Sequence, residues 1–145
     1  MKALLQRVSR ASVEVAGEEV GAIKSGLLIF LGVDKGDSES SCEKMLEKVL
    51  GYRVFSDSDG KMNLNVQQVS GELLVVSQFT LVADTQKGLR PSFSRAGRPD
   101  ESKRLYELFI SLAETKGLSV EVGQFGADMQ VSLINDGPVT FLLEI

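Results

Sequence analysis

The stretch with the most distinctive chemistry lies near the C-terminus and reads Asn135-Asp136-Gly137-Pro138-Val139-Thr140. Asp-Gly between two runs of alternating apolar and polar residues predicts a hairpin, because glycine adopts positive φ without steric cost. Pro138 allows a second interpretation. A cis X-Pro bond costs only about 0.5–1 kcal/mol relative to the trans form, and it would turn the Gly137 carbonyl outward. The turn therefore either joins two strands and does nothing more, or presents main-chain atoms to a ligand.

A second group of hydrogen-bonding side chains, Ser77, Gln78 and Thr80, follows the strongest strand signal in the chain, residues 72–81. The first half of that segment is an apolar run typical of a buried strand. Functional sites are often built where a rigid core strand emerges, which favours a site here. The competing interpretation is an ordinary alternating strand, with Phe79 and Leu81 inside and Gln78 and Thr80 outside.

The composition restricts what these residues can do. The chain has no histidine and a single cysteine, Cys42. These counts exclude a Ser-His-Asp or Cys-His nucleophile, a histidine-ligated zinc ion and a thiolate metal cluster. An enzyme of this composition must rely on carboxylates, lysine, hydroxyls, main-chain dipoles, an oxygen-ligated ion or a group of the substrate.

Positive charge is concentrated in residues 87–104, which carry six basic and two acidic residues on a chain whose formal charge is −4. Such a segment suits contact with a phosphate-bearing ligand, and its candidate RNA-binding residues are Lys87, Arg90, Arg95 and Arg98. The acidic remainder disfavours indiscriminate nucleic-acid binding, so no DNA partner is expected. The alternative is a solvated loop whose arginines pair with nearby carboxylates.

Alternating apolar residues predict four short N-terminal strands, at residues 3–8, 12–15, 19–23 and 26–33. The last of these is nearly all apolar and is expected at the centre of its sheet. Arg7 lies within the first strand and is expected to face outward, as charged residues usually do.

Two amphipathic helices are predicted from i, i+3, i+4 spacing. The first is capped by Asp37 or Ser38 and buries Cys42, Met45, Leu46, Val49 and Leu50, so Cys42 is a core residue and not a nucleophile. The second begins at Pro99 and ends at Lys116-Gly117, and its apolar face carries Leu105, Leu108, Phe109, Leu112 and Ala113.

Further strands are predicted at residues 54–55, 62–66, 72–81 and 119–122, and in a final hairpin, which brings the total to about ten. The segment 82–98 lacks periodicity and is long for a passive connection, which favours a binding loop. The pattern indicates one α+β domain over residues 1–145, mostly antiparallel, with two helices.

Neither a membrane location nor a metal is expected. No apolar run approaches the ~20 residues of a membrane span, and charge interrupts the apolar residues at the start of the chain, so a cytoplasmic location is expected. Asp57, Asp59 and Gly60 match a calcium loop only superficially, because the closing glutamate and the flanking helices are missing. No metal or other cofactor is predicted.

Taken together, Ser77-Gln78-Phe79-Thr80-Leu81 and Asn135-Asp136-Gly137-Pro138-Val139-Thr140 resemble the two signature motifs of the bacterial D-aminoacyl-tRNA deacylase family. The similarity continues through Gln6-Arg7-Val8, Leu50-Gly51-Tyr52-Arg53, Met62-Asn63-Leu64-Asn65-Val66, Arg90-Pro91-Ser92-Phe93 and Asp128-Met129-Gln130-Val131. Two motifs in the same order, joined by similar segments, make the resemblance specific.

The resemblance implies a homodimer of β-barrel-like subunits that hydrolyses the ester between a D-amino acid and the 3′-terminal adenosine of tRNA. It implies a cis Gly137-Pro138 bond that enters the partner subunit's pocket and excludes L side chains. The pocket floor would comprise Ser77, Gln78, Phe79 and Thr80, with Phe125 and Met129 nearby and Arg7 steadying the inserted loop.

Two alternatives stay open for the reactive group, the Thr80 hydroxyl and the 2′-hydroxyl of the RNA. The lack of histidine favours the RNA hydroxyl, because a threonine without an adjacent base is a weak nucleophile. A filter that only excludes L side chains predicts that glycyl-tRNA is also cleaved. The competing functions are a non-catalytic dimeric RNA-binding module and a metal-dependent esterase using Asp57, Asp59 or Asp128.

Overall fold

A computed structural model describes all 145 residues as eight β-strands, two α-helices and one short 3₁₀ helix. The strands are β1 (Lys2–Val15), β2 (Glu18–Ile23), β3 (Gly26–Gly32), β4 (Phe55–Ser56), β5 (Met62–Leu64), β6 (Glu72–Ser77), β7 (Val120–Val122) and β8 (Gln130–Glu144). The helices are α1 (Glu39–Gly51) and α2 (Pro99–Glu114), and the 3₁₀ helix spans Phe79–Val82. The strand count is lower than predicted because two pairs of predicted strands are each continuous.

The first continuous strand is β1, which the sequence pattern divides at Ser9 and Arg10. β1 continues through these residues, and a bulge there takes the place of a break: its register against β8 shifts on both sides of Val8. Such a bulge bends a strand without ending it. β1 pairs with β3 and β2 along one edge and with β8 along the other, so it lies at the centre of the sheet.

The second continuous strand is β8, and the predicted final hairpin is wrong. Both halves of β8 pair with β1, with Gln6 opposite Thr140 and Val8 opposite Asn135. Between these two pairs β8 has three more residues than β1. The extra length forms an excursion within one strand, which we call the Gly-Pro loop (residues 136–139).

The sheet order is β2-β1-β3-β6-β7, with β8 on β1. The pairs β3–β6 and β6–β7 are parallel and the other pairs are antiparallel, so the sheet is mostly antiparallel as predicted. β2 approaches β7 closely at Gly21, where a Cβ atom would lie 2.5 Å from the Val122 carbonyl oxygen. The sheet therefore curls into a nearly closed barrel, the expected α+β fold.

The core has two parts, separated by the sheet. The larger part lies between the helices and one face of the sheet, and the smaller part lies inside the barrel. Alternate residues of β3 face each part, with Leu27 and Ile29 toward the helices and Leu28 inside the barrel. Burial on both faces explains the nearly continuous apolar run of β3.

The two helices form as predicted, with one difference of detail. Ser38 caps α1, which buries the five residues named above, and burial raises the pKa of the Cys42 thiol to about 11. In α2, Leu105, Phe109 and Ala113 are buried as predicted, but Leu108 and Leu112 are only half-buried. Tyr106 takes a buried position instead, so the apolar face of α2 is rotated toward it.

Candidate active site

A cleft of about 550 Å³ opens beside the end of β6. Its walls come from β3, β6, the start of β8, the first turns of α2 and the segments flanking Ala96 and Phe125. The lining residues are Leu31, Val33, Val76, Ser77, Gln78, Phe79, Ala96, Gly97, Pro99, Ser102, Tyr106, Phe125, Gly126, Ala127, Met129 and Val131. Five residues predicted for the site, Ser77, Gln78, Phe79, Phe125 and Met129, are thus brought together.

The strand predicted to reach residue 81 ends at Ser77, and the chain turns into the 3₁₀ helix. Gln78 N–H donates to the Leu31 carbonyl at 2.8 Å, and the first bond of the 3₁₀ helix runs from Leu81 N–H to the Gln78 carbonyl at 3.2 Å. The N–H groups of Phe79 and Thr80 stand at the start of this helix, where the helix itself offers no acceptor.

Side chains around this turn differ from the alternating-strand interpretation, which is wrong. Phe79 is 62% exposed, so it lies at the cleft mouth and not in the core. Thr80 is exposed, and its Oγ1 accepts a hydrogen bond from the Gln78 side-chain amide. Thr80 therefore does not line the cleft itself, but it contacts Gln78, which does.

The wall formed by α2 was not predicted as part of the site. Tyr106 packs against Phe125 with ring centroids 5.7 Å apart, and its hydroxyl donates to the buried Val75 carbonyl at 2.8 Å. Tyr106 lies three residues before Phe109 and seven before Ala113, and this spacing was the available signal. Burial, followed by the charge of Glu107, raises the pKa of Tyr106 to about 12, so its hydroxyl is protonated at neutral pH.

The cleft carries no ordinary acid or base. No carboxylate, lysine, arginine, histidine or cysteine side chain lines it. The polar groups available to a ligand are the side chains of Ser77, Gln78 and Ser102 and main-chain groups of the turn. The site can position an uncharged group and stabilise developing negative charge through N–H donors, but its side chains cannot supply a general base near neutral pH.

Arg7 lies away from this cleft, and the outward orientation predicted for it is wrong. Its side chain is only 12% exposed. Its Nε donates to the Asp136 carbonyl at 2.7 Å and its Nη1 donates to the Val54 carbonyl at 2.6 Å. The Asp136 carboxylate lies 3.6 Å from Nε and adds a weaker ionic contact. Arg7 thus fixes the first residue of the Gly-Pro loop.

Asn135 fixes the other end of this loop. Its Oδ1 accepts a hydrogen bond from Val139 N–H at 2.7 Å, and its Nδ2 donates to the Val139 carbonyl and to Thr140 Oγ1, each at 3.1 Å. The Gly137-Pro138 bond between these anchors is cis, and both residues are exposed. Neither lines the cleft of its own chain.

The basic segment divides into paired and unpaired cations. Arg95 lies 3.5 Å from the Asp34 carboxylate, and Arg98 lies 3.2 Å from the Asp100 carboxylate. Lys103 and Arg104 also pair with glutamates. Lys87 and Arg90 are exposed and make no ion pair. The alternative of internally paired arginines therefore holds for part of the segment.

The aspartates at 57 and 59 belong to a turn. The Asp57 carboxylate accepts hydrogen bonds from the N–H groups of Asp59 and Lys61 and from the Asn63 side chain. The Asn63 bond is the largest cause of a pKa of Asp57 below its usual value. The carboxylate therefore stabilises the connection between β4 and β5.

Comparison with known proteins places the chain among the enzymes that hydrolyse aminoacyl-tRNA. The protein-family model described as D-Tyr-tRNA(Tyr) deacylase matches residues 4–144, and the chain belongs to this family. D-aminoacyl-tRNA deacylases of Shewanella baltica (strain OS185) and Pectobacterium carotovorum subsp. carotovorum (strain PC1) are 62% and 59% identical to it. These alignments cover 100% and 99% of both sequences. The resemblance drawn from the motifs is confirmed.

Solved structures agree in fold. A structure described as c-Myc DNA Unwinding Element Binding Protein matches with a TM-score of 0.95 and 41% identity, over 100% of this chain and 99% of that one. A probable eukaryotic D-amino acid tRNA deacylase matches with a TM-score of 0.89 and 14% identity, over 99% and 98%. The second match shows the fold alone.

The enzyme thus hydrolyses the ester bond of D-aminoacyl-tRNA to give a free D-amino acid and tRNA. None of its helices combines the length and the apolar character needed to cross a membrane.

Proposed function

We propose that the cleft at residues 77–80 receives the 3′-terminal adenosine and its D-aminoacyl ester, and that the Gly-Pro loop of a second copy completes it. The observation that carries this proposal is the separation of loop and cleft within one chain. Gly137 and Pro138 are exposed between two anchored ends, yet they do not line the cleft of their own chain. A partner's loop can bring the same main-chain atoms to this cleft.

A homodimer is supported by the surface of β8. This strand pairs only with β1, so its other edge has unpaired main-chain groups. Ile134, Phe141 and Leu142 expose 45%, 36% and 50% of their surface along the same strand. Exposed edges and apolar patches of this kind are usually covered by a partner. Burial of this strand in a dimer would also bring the Gly-Pro loop to the interface.

For the reaction, we propose that the 2′-hydroxyl of the terminal ribose assists a water molecule, which adds to the ester carbon while the 3′-oxygen leaves as the ribose hydroxyl. The cleft offers no base to activate Thr80, whose Oγ1 already accepts a bond from Gln78. The ribose hydroxyl is held beside the ester by the substrate itself, and placement alone can lower a barrier by several kcal/mol, up to about 7–11. The N–H groups of Phe79 and Thr80 stabilise the carbonyl oxygen as it becomes negative.

Chiral selection follows from the partner's loop. Main-chain oxygens near Gly137 and Pro138 leave room for a hydrogen atom on the substrate α-carbon but collide with an L side chain. Rejection by a factor of 10⁴ requires about 5.5 kcal/mol, which steric overlap supplies more readily than the loss of one contact. The same filter accepts glycine, so glycyl-tRNA is a second substrate.

The test of the shared site uses mixed dimers. One subunit carries Gly137→Ala in the loop, and the other carries Ala127→Trp, which fills the cleft. If the loop of one chain completes the cleft of the other, the mixed dimer has one intact site and recovers about half of wild-type activity, while each homodimer is inactive. If both elements of a site come from one chain, the mixed dimer is as inactive as its parents.

Selectivity is tested with three substrates at equal enzyme concentration. D-tyrosyl-tRNA and glycyl-tRNA should be cleaved, and L-tyrosyl-tRNA should resist. Complete resistance of glycyl-tRNA at an enzyme concentration that clears D-tyrosyl-tRNA would contradict a filter that works only by exclusion. We also place the enzyme in the cytoplasm, where aminoacyl-tRNA is made and used.

A second candidate is nucleic-acid binding without turnover, and one observation favours it. The 41% identical solved structure is described as a DNA-binding protein. Lys87 and Arg90 give this chain two unpaired cations for such contacts, but its formal charge of −4 works against them. Purified protein that retains tRNA yet releases no D-tyrosine from it would support this candidate. Activity that survives exhaustive chelation would remove the metal-dependent esterase.

A further inference from the structure

The loop between the 3₁₀ helix and α2 has a fixed base and an exposed tip. At the base, Asp84 and Ser92 exchange two main-chain hydrogen bonds, of 2.8 and 3.0 Å. The Asp84 carboxylate also accepts a bond from Gln86 N–H at 2.9 Å. Residues 85–91 beyond this base are all exposed, and Leu89 is fully so. The base therefore holds the tip in place without burying it.

The tip is positively charged and has no internal counter-ion. Lys87 and Arg90 are its two cations, and residues 85–93 contain no carboxylate. Other cations of the basic segment, including Arg95 and Arg98, are paired with aspartates. The unpaired charge of this segment therefore lies at the tip, where it is available to an anion from outside.

Two aromatic rings connect the loop to the cleft. Phe93 packs against Phe79 with ring centroids 5.1 Å apart and ring planes inclined at 51°. The pair remains open to solvent, with 62% of Phe79 and 41% of Phe93 exposed. Phe79 also lines the cleft. A path thus leads from the cleft over two exposed rings to the cationic tip.

We propose that Phe79, Phe93, Lys87 and Arg90 form a platform for the unpaired nucleotides that precede the terminal adenosine of tRNA. The proposal depends on the proposed function, because it takes the adenosine to lie in the cleft at residues 77–80. Exposed aromatic faces beside cations are the usual way to bind single-stranded nucleic acid, since each base offers a flat face and each nucleotide a phosphate. A base-paired stem fits less well, because its bases are already stacked on one another.

The experiment compares D-tyrosyl-tRNA with D-tyrosyl-adenosine, which lacks the preceding nucleotides and their phosphates. Phe93→Ala should lower kcat/KM for the tRNA by roughly 5- to 150-fold, the range of a lost base–aromatic stack. Turnover of D-tyrosyl-adenosine should stay within about twofold of wild type, because the cleft is intact. Phe93→Tyr keeps the ring and should restore the rate with tRNA.

The cations are tested through salt dependence. In the double variant Lys87→Ala/Arg90→Ala, kcat/KM for the tRNA should fall, and its slope against log salt should flatten by about 1.4, or about 0.7 for each lost phosphate contact. The matched control is Lys44→Ala/Lys116→Ala, which removes the same charge from two exposed, unpaired lysines outside the loop. This control should keep the wild-type slope.

Other outcomes would overturn the platform. Equal losses on tRNA and on D-tyrosyl-adenosine would mean that the loop only supports the cleft. The loop variants could also lose kcat/KM on tRNA but not on a D-tyrosyl trinucleotide with the sequence of the tRNA end. The loop would then contact the base-paired stem and not the unpaired nucleotides. Wild-type rates in the loop variants would remove the platform but leave the proposed function. A wild-type enzyme that cleaves neither substrate would overturn both.

Discussion

The cleft and the Gly-Pro loop differ in shape, in exposure and in how they are held in place. The cleft is concave, apolar and uncharged, and elements distant in sequence meet to form it. The loop is convex and exposed at Gly137 and Pro138, yet hydrogen bonds with Arg7 and Asn135 fix both of its ends. No charged side chain lines the cleft, and the one carboxylate of the loop, Asp136, lies beside Arg7. The comparison indicates that selectivity depends on placing main-chain atoms, and that supporting side chains matter through the positions they hold.

The strongest test of this comparison is Gly137→Ala. A Cβ atom at Gly137 would lie 2.4 Å from Val139 N and 2.6 Å from Val139 Cγ2, so the loop must shift. A displacement of about 1 Å can cost roughly 100-fold in rate, and we expect a loss of at least that size in deacylation of D-tyrosyl-tRNA. Thermal unfolding should change little, because Gly137 and Pro138 are exposed.

The control for that substitution is Gly51→Ala, at the end of α1, where an added Cβ meets nothing within 4 Å. It should retain wild-type kcat/KM. A Gly137→Ala enzyme with wild-type activity would show that the loop's exact shape is unimportant.

Arg7→Lys separates charge from geometry. Lysine keeps the positive charge but lacks the guanidinium fork that reaches the Asp136 and Val54 carbonyls together. An unsatisfied, partly buried carbonyl costs about 1–3 kcal/mol, so urea denaturation should show a loss in that range. Deacylation should fall by about tenfold or more, the equivalent of 1.4 kcal/mol of misplaced loop.

Arg10→Lys is the matched control, because Arg10 is exposed and its side chain makes no hydrogen bond or ion pair. Equal effects at the two positions would indicate a general loss of sheet stability and not a positioning role for Arg7.

Thr80→Val tests the cleft side of the comparison. Valine has nearly the same shape as threonine, and the Phe79 and Thr80 N–H groups stay in place. If the substrate supplies the reactive hydroxyl, kcat should stay within about tenfold of wild type, since only the contact with Gln78 is lost. Single-turnover kinetics measures this directly. A loss of several orders of magnitude in kcat with an intact fold would identify the Thr80 hydroxyl as the nucleophile.

The smallest effect is expected for Tyr106→Phe in the cleft wall. The variant loses the hydroxyl's bond to the Val75 carbonyl, but that carbonyl also accepts Gly123 N–H at 3.1 Å and keeps a partner. Stability should fall by only about 1 kcal/mol, and deacylation should be unchanged. Because the pKa of Tyr106 is raised to about 12, its loss should also leave the pH–rate profile unchanged between pH 6 and 9. A shifted profile would give Tyr106 a role in proton transfer.

Local patterns in the sequence predicted much of the fold and part of the site. The helix at Cys42–Leu50 and the doubly buried strand β3 follow from spacing, because each buries a face set by its own period. The end of β6 could not be predicted, since the chain turns where β3 stops offering a partner after Leu31. Arg7 could not be placed either, because its partners lie 47 and 129 residues away.

Motif order and composition were enough to determine the family, to exclude a histidine-based mechanism and to predict Ser77, Gln78 and Phe79, which line the cleft. Tertiary structure decided that Asn135–Thr140 interrupts a continuous strand instead of joining two, that Arg7 turns inward to hold it, and that α2 supplies the remaining wall. The physical reason is the separation along the chain of the residues that interact. Side-chain periodicity reports which face of an element is buried, whereas strand register and long-range hydrogen bonds depend on which distant segments meet.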